Sequence, residues 1–230
     1  MVRCEVRALP LADGGEGTLD AVAACGGELV TCEVAGPLGD RVSARMLVDG
    51  EHESAVIEMA EAAGIGYSPC TESSALAATT YGVGELMLRA VRAGAKTIYI
   101  GLGGSATNDG APVCCRRWAR VWSMISCNIA PGLAGLEHVV SIDLAPALRA
   151  LSGARVVVLS DVENPLVGRR GALAVFGGQK GLPADDARCC AGVTAGWSAT
   201  AACSIRRLLG RGLRGCCARP RAHGHLARCS

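Results

Sequence analysis

Between Val2 and Asp186 the hydrophobic positions form two alternating patterns: short apolar runs of strand length, and longer Ala-rich stretches of helical composition. That alternation is what strands covered by crossover helices produce, and it predicts an α/β chain. Val6 to Leu11 reads as a short strand running into Asp13-Gly-Gly-Glu-Gly-Thr18, and the helical stretch from Leu19 to Cys25 stops at Gly26 and Gly27. From Tyr81 to Ala93 the residues Val83, Leu86, Met87, Ala90 and Val91 recur at helical spacing, and Gly94 ends the helix. Thr97 to Leu102 reads as a buried strand that feeds a run of small residues from Gly103 to Gly110. The next strand, Arg155 to Ser160, ends at Asp161 and a turn around Asn164 and Pro165. Open α/β sheets bind ligands in the loops at strand C-termini, so the candidate chemistry belongs to these turns.

Composition changes the picture in one respect. The chain has 230 residues and a net charge of +2, but from Ala187 to Ser230 there are eight Arg and no acid, and from Ala111 to Cys127 three Arg and no acid. These two windows also hold nine of the 13 Cys and all three Trp, while the remainder is acidic and Ala/Gly/Val-rich. Only seven residues are aromatic, too few for a surface that stacks single-stranded bases, so no nucleic-acid partner is expected. The odd Cys count and the lack of a leader-like start speak for a reducing, cytoplasmic setting. No run approaches the eighteen apolar residues of a membrane span, so no membrane partner is expected.

Gly103, Gly104 and Ser105, placed after a buried strand, can bring main-chain N–H groups close to a phosphate or carboxylate; a plain tight turn is the alternative. The segment has neither the Gly-Lys-Ser/Thr of a P-loop nor dinucleotide spacing. Asp13 and Glu16 could hold a metal or orient a hydroxyl, or Asp13 could cap the following helix. Asp161 has a parallel choice between a magnesium or hydroxyl role and an Asx turn with Asn164. Lys180, set among Gly177, Gly178 and Gly181, is either a point charge for a phosphate or a solvated loop residue. His52, His138, His223 and His225 form no metal-ligand pattern, and no protein-only metal site is assigned.

Taken in order, Leu11-Ala-Asp-Gly-Gly-Glu-Gly-Thr18, Val34-Ala-Gly-Pro-Leu-Gly39, Ile57-Glu-Met-Ala60, Thr79-Thr-Tyr-Gly-Val-Gly-Glu-Leu86, Gly101 to Gly110, Asp161-Val-Glu-Asn-Pro-Leu-Val-Gly168 and Phe176-Gly-Gly-Gln-Lys-Gly181 resemble the motif series of the glycerate kinase family, type 1. The resemblance implies a two-domain α/β kinase, with a Rossmann-like discontinuous domain and an inserted α/β domain. It implies transfer of the terminal phosphate of ATP, with Mg2+, to a hydroxyl of glycerate. Such chemistry needs positioning, charge neutralisation and few covalent partners. On this resemblance Asp13, Asp109 and Asp161 are the candidate catalytic carboxylates, and Gly103, Gly104, Ser105, Asn108 and Lys180 the candidate substrate or phosphate ligands. Residues 1–60 correspond to part of the discontinuous domain and residues 61–186 to the inserted one.

The departures are specific. The family's first strand and its C-terminal Gly-Glu-Gly region have no counterpart, and Gly178 stands where the family carries Pro, so the architecture is incomplete and impaired activity is expected. In the window 111–127, the codons GTG TGC TGC AGG CGC TGG GCG CGC GTG would encode Val113 to Val121; in a shifted frame they give Val-Leu-Gln-Ala-Leu-Gly-Ala-Arg, a sequence suited to the helix this position calls for. A frameshift likewise accounts for the Arg/Cys-rich tail 187–230. The alternative from another class is a non-catalytic basic or Cys-rich binding protein built on a kinase remnant, its acid-free Arg suited to phosphates.

Overall fold

The computed structural model describes residues 10–110, 130–138 and 145–184. The off-pattern windows 111–127 and 187–230, and most of the strand anticipated at Val6–Leu11, lie outside the described residues. Leu11 itself is exposed and in no regular element.

A five-stranded sheet in the order β1-β2-β3-β4-β5 organises the chain. Strand β1 (Glu28–Ala35) pairs antiparallel with β2 (Arg41–Asp49), from Glu28 opposite Val48 to Ala35 opposite Arg41. Strand β2 pairs antiparallel with β3 (Ser54–Glu58). Strand β3 then pairs in parallel with β4 (Thr97–Gly101), and β4 in parallel with β5 (Arg155–Leu159). The anticipated alternation of strands and crossover helices therefore holds only from β3 onward. The turns after β1 and β2 span a few residues each, far too short for a crossover helix, and make β1 to β3 a meander. The sheet runs across residue 60, since β3 pairs with β4.

Both faces of the sheet are covered. On one, α2 (Met59–Ala63) and α4 (Tyr81–Arg92) bury Ala62, Val83, Leu86, Met87 and Ala90 against Val34, Ala44, Met46, Ile57 and Ile98. The periodic positions anticipated for the Tyr81 helix are these, with Val91 partly buried beside them. On the other face α1 (Thr18–Ala23) packs Leu19 against Leu47 and Val56. The strand period of two sends Met46 and Leu47 to opposite sides, one to each cluster.

A third cluster lies away from the sheet. It joins Ala75 of α3 (Glu72–Ala77), Leu133 and Leu136 of a 3-10 turn, Leu173 of α6 (Ala172–Phe176) and Leu182. Helix α5 (Ala145–Ala150) precedes β5. Burying Leu182 anchors the chain just beyond Lys180, so the C-terminal part of the described chain is fastened beside the loop that follows β4.

Candidate active site

Strands β3, β4 and β5 run parallel and end together at Glu58, Gly101 and Leu159. The loop after β4 and the turn at residues 13–17 are pressed together there. Gly103 N–H donates to Gly14 O at 3.0 Å, and Leu102 N–H to Leu159 O at 3.2 Å. A Cβ on Gly103 would lie 2.5 Å from Gly15 Cα, so this backbone approach admits only glycine. Gly104 has φ +69°, and its carbonyl accepts from Ile65 N–H at 2.8 Å. These facts revise the cradle anticipated from sequence. The Gly103 amide is already committed to Gly14, and its glycine serves loop-to-loop packing; Gly104 and Ser105 are the pair whose amides make no hydrogen bond among the described residues.

Farther along the same loop, Asp109 is buried at 1% exposure. Its Oδ2 accepts from Thr80 N–H at 2.8 Å and from Thr80 Oγ1–H at 2.9 Å. Asn108 Nδ2 donates to Ala75 O at 3.4 Å. Lys180 enters from a 3-10 turn, Gly178–Lys180, and is 9% exposed. Its Nζ donates to Ser105 Oγ at 3.1 Å and to Thr107 O at 2.6 Å. Burial pushes this ammonium down to about 8, against the opposing pull of the Asp109 carboxylate. Lys180 is therefore neither a solvated loop residue nor a contact ion pair; it is a buried cation held by neutral oxygens.

Ser105, Thr107, Asn108, Asp109 and Lys180 form the polar end of a pocket of about 220 Å³, whose remaining wall includes Met59, Leu102, Leu166, Leu173 and Phe176. Sites for drug-sized ligands run from roughly 300 to 1,000 Å³, so the pocket suits a small organic acid or a single phosphate better than a whole nucleotide.

The other two candidate carboxylates are not in the pocket. Asp13 is exposed, and its Oδ1 accepts from Gly15 N–H at 2.8 Å, an Asx turn. It does not cap α1, whose N-cap is Gly17. Asp161 is exposed just after β5 and makes no bond to Asn164 among the described residues; Asn164 Nδ2 donates instead to Arg170 O at 3.0 Å. Both lie at the end of the sheet where the parallel strands finish.

Two contributors escaped the sequence reading. Thr80 sits in the Thr79-Thr-Tyr motif but received no role, because its partner lies 29 residues away. Glu58 is 3% exposed, and its Oε1 accepts from Leu19 N–H at 2.5 Å, doing for α1 what a local cap residue ordinarily does. Burial pushes the Glu58 carboxyl above its usual range. Its signal was an acid at the end of an otherwise apolar strand.

A mixed sheet with a small pocket beyond its parallel strands, a buried ammonium in the pocket lining and glycine-packed loops beside it defines an α/β protein with a candidate small-ligand site. The comparisons narrow this class. The model of the glycerate kinase family matches residues 1–213. The glycerate kinase of Bacillus subtilis (strain 168) is 43% identical over 183 residues, covering 79% of this chain and 48% of that protein. The glycerate 2-kinase of Escherichia coli K12 is 41% identical over 175 residues, covering 75% and 46%. A crystal structure of a "putative glycerate kinase 2" from Salmonella typhimurium LT2 superposes with a TM-score of 0.75 at 41% identity, covering 88% of this chain and 54% of that one.

The chain belongs to the glycerate kinase family. It spans about half the length of the curated relatives it matches. Among the described residues, no helix is long and apolar enough to cross a membrane.

Proposed function

We propose that this chain serves the ATP-dependent phosphorylation of a hydroxyl of glycerate, and that the pocket around Lys180 receives the anionic group of the small substrate. The observation that carries the reading is the buried Lys180 ammonium, which faces a pocket of small-acid size without a contact carboxylate. A cation moved out of water is costly unless an opposite charge compensates it, and a bound carboxylate or phosphate supplies that charge. Ser105 lines the same pocket, with the Gly104 amide next to it in the chain, and Asn108 and Asp109 add polar groups to orient a hydroxyl.

Magnesium ATP supplies the phosphoryl group, its charge partly neutralised by the metal. Among the described residues no three His, Cys, Asp or Glu cluster into a metal cage. Mg2+ usually keeps several waters and takes one or two carboxylates with the nucleotide's own phosphates. The exposed Asp13 and Asp161 fit that role at the strand ends. In this reading residues 1–60 and 61–186 belong to the two family domains, the enzyme works in the cytoplasm, and it has no nucleic-acid partner.

Calorimetry with glycerate separates binding from turnover. The chain should bind glycerate, and Lys180→Met should weaken that binding by about a hundredfold, the loss of a charge-assisted contact. ADP formation with glycerate and magnesium ATP is then measured on the same samples. Equal glycerate affinity in the parent and the Lys180→Met chain would sink the proposal.

A further inference from the structure

Thr80 directly precedes the twelve-residue helix α4, where a threonine hydroxyl ordinarily accepts from the helix's free amides. Here its side chain makes no cap hydrogen bond. Its hydroxyl and its backbone N–H both donate to the same oxygen, Asp109 Oδ2, at 2.9 and 2.8 Å, and both residues are almost fully buried. Asp109 and Lys180 line the same pocket, yet the Lys180 ammonium binds Ser105 Oγ and Thr107 O, and no Lys180–Asp109 ion pair forms within 4 Å. In a buried site, a free carboxylate so near an ammonium would close on it, because the attraction grows as the dielectric falls. Something restrains it.

We propose that Thr80 is a positioning residue: its two donors clamp the Asp109 carboxylate back from Lys180, so that the ammonium stays directed at an anionic ligand in the pocket. The inference rests on the small-acid reading given above. The electrostatics agree with the geometry. A contact pair would hold the lysine at or above its ordinary range, whereas burial outweighs the influence of Asp109 and brings Lys180 down to about 8. Asp109 is the charged group that acts on Lys180 here. The clamp keeps the positive charge in place for the substrate without letting the protein's own acid neutralise it.

The test uses the fact that the chain has only two lysines, Lys96 and Lys180. Carbon-13 lysine labelling and NMR titration of the full chain give one curve for each, and Lys96 is identified as the exposed partner of Glu53. The parent Lys180 should titrate near 8. Thr80→Val removes the hydroxyl donor and keeps the backbone N–H, so the loosened Asp109 carboxylate should swing toward Lys180, raising its midpoint by about one unit or more and weakening glycerate and inorganic phosphate binding about tenfold. Thr80→Ser, which keeps the hydroxyl, should restore both, and adding Asp109→Asn to Thr80→Val should abolish the rise. Thr80→Ala provides the same comparison if the valine variant does not fold.

A Lys180 midpoint at or above 10.5 in the parent would overturn the clamp, as would an unchanged or lowered midpoint in a folded Thr80→Val or Thr80→Ala chain. The two readings fail separately. A midpoint that rises while glycerate never binds leaves the clamp standing and removes the substrate reading; glycerate binding with an unmoved midpoint does the reverse.

Discussion

Lys180→Met should change how stability depends on pH, and the structure sets both the sign and the scale. The folded chain holds the ammonium at about 8, against 10.5 for a free lysine. Between those two values the unfolded chain binds more protons than the folded one, so stability rises with pH across this window. Below pH 8 the cost of burying the charge is borne in full. A shift of this size corresponds to about 3.5 kcal/mol at most, from roughly 1.4 kcal/mol per unit, of which about 3 kcal/mol falls between pH 7 and 10.5. Methionine keeps the unbranched stem and removes the charge, so the variant lacks this rise. Urea unfolding of both chains at intervals from pH 7 to 10.5 isolates the effect, because the two chains differ only at residue 180 and contributions common to both cancel. The variant's advantage over the parent should shrink by about 3 kcal/mol on going from pH 7 to pH 10.5. Parallel stability curves would mean that Lys180 is solvated in the folded chain and refute its burial as a charge.

Three further outcomes follow from the same geometry. Gly103→Ala forces a Cβ to within 2.5 Å of Gly15 Cα, whereas Gly104→Ala meets the movable Glu16 side chain and the Ala60 methyl at 3.0 and 3.1 Å. Chemical denaturation should therefore show a loss of about 2–4 kcal/mol for the first and about 1–2 for the second, the cost of a left-handed alanine; the reverse order refutes the packing account. Glu58→Gln keeps an acceptor for Leu19 N–H and removes a carboxyl whose raised folded value costs stability as pH climbs through the window above 4.5. At pH 7 it should be no less stable than the parent, while Glu58→Ala should lose about 1–2 kcal/mol, and equal losses in both would contradict this assignment. Asp161→Asn, at an exposed position, should leave unfolding within about 0.5 kcal/mol of the parent while cutting any phosphoryl transfer at least about tenfold; an unaltered kcat would remove Asp161 from the site.

Features that depend on neighbours in the chain were legible in the sequence. Helix α4 was, because burial of Val83, Leu86, Met87 and Ala90 on one face imposes a period near 3.6 that survives in one dimension. Strand β4 and its glycine turn were too, since an apolar run followed by small residues leaves few other conformations, and the motif order identified the family. The hairpin of β1 and β2 was not singled out: Cys32 and Val34 are its only fully buried β1 residues, so its alternation is faint beside the continuous apolar runs of β4 and β5.

What tertiary structure alone decided is who meets whom. Ser105 and Lys180 are 75 residues apart, Thr80 and Asp109 are 29 apart, and Glu58 and Leu19 are 39 apart; no local preference records any of these pairings. The same lysine between glycines is a solvated charge in an extended chain and a buried cation once Leu182 anchors the segment into the core. The turn at Asp13 looks like a helix cap until Gly14 must accept from Gly103. The residue types came from the sequence, but charge state, hydrogen-bond partner and exposure are properties of surroundings that only folding brings together.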